Sequence, residues 1–378
     1  MVVYHADRAA HLREDLVATL VQAGVLAEGP WAEAFRQVPR HVFVPRLFVP
    51  APRGGWVAVG ADHPDFLSLV YRDDVCVTQL NGSEAAWEQA AADGVVHGVP
   101  TSSSSMPTIM AVMLAALDAR PGDTVLEIGT GTGYNAALLA HVLGDGAVTS
   151  VDVDPDVHAR AVRALAEVGR HPRCVVGDGE RGVPEHAPYR RVLGTCAVSR
   201  LPPAWPAQAE PGGVVVTTLN RPLGAGLLRL VVRDGAATGR VLREDGRFMP
   251  LRAHRQAWAD EALHRARRAP AAITRPTPLP ARTALDPLSG FEFFAGLALP
   301  GVAVGLDPVR LVHPDGSWVR HRGAVVDEGG PRRLWALAED AHRRWRSLGR
   351  PRRHRFAFTA TAARQWFALD GSELTWDL

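Results

Sequence analysis

Lysine is missing from the 378 residues, so all 42 basic side chains are arginines. Forty acidic residues nearly cancel them. The resulting net charge of +2 excludes a chain-wide attraction to nucleic acid or to a membrane surface. Cysteine is scarce: Cys76, Cys174 and Cys196 are odd in number and scattered, which argues against a disulfide framework and predicts buried free thiols in a reducing compartment. There is no run of 18 apolar residues and no signal-peptide pattern, so a soluble cytoplasmic protein is expected. The 15 histidines never adopt a ligand spacing such as H-E-x-x-H; no metal is expected, and His41 reads as structural.

What the chain does have is a glycine-punctuated loop. Residues 125 to 133 read Val-Leu-Glu-Ile-Gly-Thr-Gly-Thr-Gly. An apolar strand, Val125 to Ile128, runs through Gly129, Thr130, Gly131 and Gly133 into a helix starting near Tyr134. Glycine is needed where backbone bends sharply and approaches a ligand with no Cβ in the way. The spacing is G-x-G-x-G, not the dinucleotide G-x-G-x-x-G, and Glu127 precedes it. A carboxylate there repels a pyrophosphate but suits a cationic, phosphate-free adenosyl ligand, which points to S-adenosylmethionine and away from NAD. Ala147 to Val151 lead to Asp152, placed to accept from both ribose hydroxyls, with Val153 beside it. Arg173 to Val176 lead to Gly177-Asp178-Gly179, where Asp178 is placed to accept from the adenine amino group. Singly, Glu127 or Asp178 could be a helix cap or turn former, but three acidic strand ends in order form a set.

The length fits two domains, or one with an extension. Periodicity predicts helices over Leu12 to Leu26, Trp31 to Val38, and Met106 to Leu117. Ser68 to Val70 and Val75 to Gln79 read as strands, and Gly82 to Gly98 as a surface loop or short helix. From Val125 to Asn220 strands and helices alternate as in a doubly wound sheet. Later strands are Arg191 to Cys196 and Val214 to Leu219, the second after a Pro211-Gly212-Gly213 turn. Leu227 to Arg233 and Arg240 to Leu242 form a terminal pair joined at Asp234-Gly235. Three regions follow: 1–253 as the catalytic domain, 254–290 as an Arg/Ala/Pro-rich linker or wrapping segment, and 291–378 as a C-terminal α+β domain. In the last, Pro331 to Leu348 is an amphipathic helix with Leu334, Leu337, Ala341 and Trp345 on one side. Its other face and the tail carry Arg332, Arg333, Arg343, Arg344, Arg346, Arg350, Arg352, Arg353 and Arg355. The plain reading is a solvated face; the sharper one is electrostatic capture of an acidic peptide.

With these pieces in place, the chain resembles the protein-L-isoaspartate O-methyltransferases over roughly residues 7 to 253. The resemblance rests on Val38-Pro39-Arg40-His41-Val42-Phe43-Val44-Pro45, Ser105-Met106-Pro107, the loop at 125 to 133, and Gly177-Asp178-Gly179 followed by Pro184-Glu185-His186-Ala187-Pro188. Pro211-Gly212-Gly213 and Phe248-Met249-Pro250-Leu251 complete it. It implies an α/β, Rossmann-like class I S-adenosylmethionine-dependent fold with a mixed doubly wound sheet, here carrying a C-terminal α+β extension. Cofactor positions then map onto Ser105, Glu127, Gly129, Thr130, Gly131, Gly133, Tyr134, Asp152, Val153, Asp178 and Gly179, and Ser105 takes the place of the catalytic serine. Thr101, Ser103, Ser104 and Arg252 are the expected substrate contacts, although a serine-rich stretch is also the composition of a flexible linker.

About 120 residues follow the core, and such extended relatives resemble the aspartyl methyltransferases of ribosomally made peptides, including lanthipeptides and ATP-grasp-modified peptides. The leading expectation is therefore methylation of an Asp side chain in a precursor peptide, whose ester closes to succinimide and opens to isoaspartate. The alternative is isoaspartate repair in damaged proteins, and a third reading is a non-catalytic cofactor-binding module that recognises a peptide. The expected partner is a peptide or protein bearing Asp or isoAsp, possibly an acidic one, with no nucleic acid and a monomeric enzyme. A carboxylate is already ionised at neutral pH, so transfer needs alignment and desolvation more than a base. Hydroxyls can hold one carboxylate oxygen without the ground-state stabilisation that an arginine would bring.

Overall fold

The computed structural model describes residues 2–219 and 221–378, with backbone alone for residues 2–6. Asn220, the end of the expected alternating segment, lies outside the described residues. The chain divides into two compact units, Met1–Cys196 with Ala204–Val216, and Ala197–Pro203 with Thr217–Leu378. The division thus falls near residue 216, where a boundary at 253 was expected.

The first unit opens with helices Val2–Gln22, Pro30–Gln37 and Arg40–Phe43. Strands β1 (Arg46–Pro50), β2 (Trp56–Gly60), β3 (Cys76–Leu80) and β4 (Pro100–Ser104) form an antiparallel sheet in the order β2-β1-β3-β4. Residues 68–70, expected as strand, belong to the helix Phe66–Val70. Phe66, Leu67 and Val70 are buried, which is the i, i+1, i+4 spacing of a short helix face. The second sheet contributes β5 (Val125–Ile128), β6 (Val148–Asp152), β7 (Arg173–Val176), β8 (Tyr189–Val198) and β9 (Ala209–Leu219), ordered β9-β8-β5-β6-β7. β5 pairs in parallel with β6 and β8, and β6 with β7. All four β5 residues are buried, as a central parallel strand requires; this explains its apolar run and makes Glu127 the exception to account for. Pro211-Gly212-Gly213, expected as a turn, lies inside β9.

One side chain ties the segments around β4 together. Arg40 is fully buried, although arginine is rarely so. Its Nη1 donates to the carbonyls of Val70 (2.8 Å) and Arg72 (3.1 Å), and its Nη2 to those of Asp74 (3.0 Å) and Ser105 (2.9 Å). Nε reaches the Ser104 hydroxyl at 3.4 Å. These contacts use all the N–H groups a guanidinium has, and every acceptor is neutral. The guanidinium carbon also sits 6.0 Å from the Tyr134 ring centroid, within cation–π range.

In the second unit, β10 (Gly226–Arg233) and β11 (Ala236–Val241) turn on Asp234 and Gly235, both at positive φ as a type I′ hairpin demands. Strands β12 (Ile273–Pro276), β13 (Ala303–Leu306), β14 (Val309–Val312), β15 (Trp318–Arg322) and β16 (Val325–Gly329) form a sheet ordered β12-β16-β15-β14-β13. β17 (Phe356–Ala360) pairs with β11, and β18 (Gln365–Leu369) and β19 (Thr375–Asp377) continue from it. The β11–β17 ladder draws the hairpin at 226–241 into this unit and so moves the boundary. Residues 254–290 are not a plain linker: they hold the helices Trp258–Ala266 and Ala281–Leu285, and β12 pairs with β16. The arginine-rich helix spans Leu334–Ser347 and buries Leu334, Trp335, Ala338, Ala341 and Trp345. Leu337, expected on that face, is 36% exposed, and Trp335 is buried instead.

Replacing Arg40 by Met strands four carbonyls and a hydroxyl. Arg40→Met is expected to lower the unfolding free energy by about 3 kcal/mol or more, with Arg40→Lys recovering part of the loss. Urea unfolding checks this, and an unchanged midpoint in Arg40→Met would remove the residue from its tying role.

Candidate active site

The glycine loop follows from where β5 ends. Gly129 takes φ 101°, and a Cβ there would sit 2.6 Å from Thr195 Oγ1, so any other residue would be strained in its backbone and would displace the Thr195 hydroxyl. At Gly131 a Cβ would lie 3.5 Å from the Ser103 carbonyl oxygen, which brings the loop against the serine strand β4. The helix Tyr134–Leu143 begins directly after Gly133. Tyr134, expected at the cofactor, instead has a buried ring packed against Phe35 and Phe43, with centroids 6.2 and 5.7 Å away.

Glu127 is fully buried. Its carboxylate accepts from Asn135 Nδ2 (2.7 Å) and Ser150 Oγ (2.5 Å), and Ser150 Oγ lies 2.7 Å from Thr130 Oγ1. Glu127 and Thr130 therefore brace the loop from beneath, and this carboxylate shows no surface to a ligand. Ser150 and Asn135 were not anticipated. Asn135 sits in the first turn after the loop and Ser150 interrupts an apolar strand; both are weak signals. The acid that lies at the surface of the loop is Asp152, half-buried, with Oδ2 accepting from Gly131 N (2.8 Å) and Oδ1 from Asp154 N (3.0 Å). Beside it Val153 is 41% exposed, large for a valine next to a packed strand. Asp178 is exposed, and its Oδ1 accepts from Glu180 N (3.0 Å) to cap a short helical turn. Gly179 is buried, with its carbonyl accepting from Trp205 Nε1 at 2.8 Å.

The serine-rich stretch is strand, not linker, and it sorts its hydroxyls by side. Ser102 and Ser104 are buried, the first accepting from Thr78 Oγ1 (3.3 Å) and the second from Arg40 Nε. Ser104, expected to meet substrate, is thus committed to the interior. Thr101 Oγ1 donates to Gln79 Oε1 (2.7 Å), and the Gln79 amide reaches Asp154 Oδ2 (3.4 Å), linking β4 to the helix Pro155–Glu167 that Asp154 caps. Ser103 and Ser105 are half-buried, and among the described residues neither hydroxyl has a protein partner. Arg252 belongs to the second unit, where it opens the single turn Arg252–His254 and is exposed. Burial pushes the Cys174 and Cys196 thiols up to about 12 and raises that of Cys76, which disfavours the thiolate at all three.

Burial pushes the Glu127 carboxyl up to about 7, against the opposing hydrogen bonds from Ser150 and Asn135. A carboxyl with a raised folded-state pKa holds its proton more tightly folded than unfolded. Its contribution to stability is therefore greatest in acid and falls as pH rises from the unfolded value towards 7. The stability difference between wild type and Glu127→Gln should shrink by about 2–3 kcal/mol between about pH 5 and pH 8, then level off. Urea unfolding across that range tests it; a pH-independent difference would show that this carboxyl does not titrate there.

The family model of protein-L-isoaspartate(D-aspartate) O-methyltransferase matches residues 74–256. A protein-L-isoaspartate O-methyltransferase of Anaeromyxobacter dehalogenans is 42% identical over 152 residues, covering 39% of this chain and 71% of that protein. Another, from an Anaeromyxobacter species, is 40% identical over 156 residues; the match covers 39% of this chain but only 60% of that relative's length. A solved structure described as a protein-L-isoaspartate O-methyltransferase aligns with a TM-score of 0.55 at 24% identity, over 95% of this chain and 99% of its own. The fold is that of a class I S-adenosylmethionine-dependent methyltransferase with an additional C-terminal sheet region. The chain belongs to the protein-L-isoaspartate O-methyltransferase family, whose members are S-adenosylmethionine-dependent carboxyl methyltransferases.

Proposed function

We propose that this enzyme methylates the free carboxylate of L-isoaspartyl residues in proteins, and that Ser105 holds that carboxylate for transfer. The observation that carries the reading is the pairing of two half-buried, uncommitted hydroxyls, Ser103 and Ser105, with a glycine loop that passes against the same strand. S-adenosylmethionine, when bound, would supply a sulfonium methyl group to a carboxylate oxygen, its C–S electron pair remaining on sulfur, to give the methyl ester and S-adenosylhomocysteine. In this reading the backbone of Gly129 and Gly131 would admit the donor, Asp152 would accept from the ribose hydroxyls, Val153 would pack on the adenine and Asp178 would accept from its amino group. Arg40 acts through the Ser105 carbonyl and sets the height of the hydroxyl, and no cationic side chain need pair with the reacting carboxylate.

A finer reading, modification of an Asp side chain in a precursor peptide during natural-product maturation, rested on the C-terminal extension. The solved structure that aligns over 95% of this chain takes in most of that extension, so the extension does not favour the finer reading over repair. Two peptides of one sequence, one with isoAsp and one with Asp, separate the two. Methyl ester is expected on the isoAsp peptide alone; ester on the Asp peptide alone would overturn the repair reading. Ser105→Ala should lower kcat by at least about ten-fold, as loss of one transition-state donor does, while the affinity for S-adenosylhomocysteine changes little. Full turnover by Ser105→Ala would take the carboxylate away from this residue.

A further inference from the structure

Between Ala341 and Leu369 the chain holds eight arginines and no acidic residue, in a protein whose net charge is only +2. Part of this charge is neutralised within the second unit. Arg343 pairs with Asp340, Arg353 with Asp245, and Arg355 lies 4.0 Å from Asp370. Arg346, Arg350 and Arg352 are exposed, and among the described residues none of the three is ion-paired. They are not scattered. Arg346 and Arg350 both bear on His342, and Arg352, Arg355 and Arg243 on His354, each depressing the ring's proton affinity after burial has done so. Like charges are therefore held close together at the end of the helix Leu334–Ser347.

The helix accounts for only part of them. Cations in a last turn are favoured by the helix dipole, which covers Arg344 and Arg346. Arg350 lies beyond the helix and takes φ 56°, a left-handed conformation that favours glycine, directly after Gly349 at φ 78°. Its N–H closes the helix end on the Trp345 carbonyl at 2.9 Å, a task a glycine performs with less strain. Holding an arginine there, among other arginines, is costly for folding and calls for a use outside it.

We propose that this surface captures acidic segments of the protein substrate. The inference rests on the reading of the chain as a protein carboxyl methyltransferase. Isoaspartyl and aspartyl sites are themselves anionic, and a surface of uncompensated guanidinium groups raises the encounter rate for substrates rich in Asp and Glu. Capture of a flanking acidic segment by the same chain that carries the transfer site raises the substrate's effective concentration when one substrate reaches both. Methyl transfer removes a negative charge, so the surface holds the ester less tightly than the carboxylate, which favours turnover.

The test uses the full chain and the triple variant Arg346→Gln/Arg350→Gly/Arg352→Gln, whose changes lie outside the proposed active site. For an isoaspartyl peptide flanked by glutamates, kcat/KM should fall about ten-fold in the variant at low salt with kcat unchanged, and the two proteins should converge near 300 mM salt. A peptide with neutral flanks should change less than about two-fold. Equal effects on both peptides, or none on either, would overturn the proposal. If no isoaspartyl peptide is methylated, the functional reading fails; fluorescence anisotropy of the labelled acidic peptide still decides the surface's role, with about ten-fold weaker binding in the variant supporting it and equal binding refuting it. Tighter binding of a duplex oligonucleotide than of the peptide at matched salt, lost in the variant, would assign the surface to nucleic acid instead.

Discussion

A charged guanidinium buried with no counter-charge among the described residues is the constraint around which the first unit is organised. Arg40 satisfies its donors on the Val70, Arg72, Asp74 and Ser105 carbonyls and on the Ser104 hydroxyl. Such a charge is tolerated only where every donor is matched, so the segments carrying those acceptors must meet in one geometry. The end of β4 is therefore fixed before any ligand arrives. Pleating does the rest: Ser104 is spent on Arg40, while its neighbours Ser103 and Ser105 turn away with their hydroxyls uncommitted.

The glycine loop is held by a similar device of opposite sign. Glu127, Ser150, Thr130 and Asn135 form a buried polar chain under the loop, while Asp152 holds the Gly131 N–H from its half-buried position. The two carboxylates divide the work that their strand-end positions suggest they share. Burial pushes the Glu127 carboxyl up to about 7, and Asp152 is the acid of the two that reaches the surface of the loop.

How much could be read from the residues depended on whether an element's reasons were local. β5, β6 and β7 were legible because each is a short, mostly apolar or β-branched segment followed by glycine or acid at its end, even though Glu127 and Ser150 interrupt two of them and β7 is only partly buried. The helix Phe66–Val70 was not, since five residues hold too little of a period to separate helix from strand. The role of Leu337 falls two residues earlier, to Trp335, which is fully buried while Leu337 is exposed. The unit boundary was hidden because it depends on the ladder from Ala237↔Ala360 to Arg240↔Ala357, a pairing across more than a hundred residues. Arg40 was quoted within its motif but given no role, since arginine normally reads as surface.

The basic surface at the end of the helix Leu334–Ser347 is built from guanidinium groups in a chain without a single lysine. Guanidinium keeps its charge across the whole range in which proteins stay folded, and lysine acylation has nothing there to neutralise. Such a surface is weakened by ionic strength and by competing polyanions. Glu127, by contrast, changes charge near neutrality and is sealed from salt by burial. The two features thus differ in kind: exposed guanidinium groups are open to screening by salt, whereas a buried carboxyl is shielded from it and responds to pH.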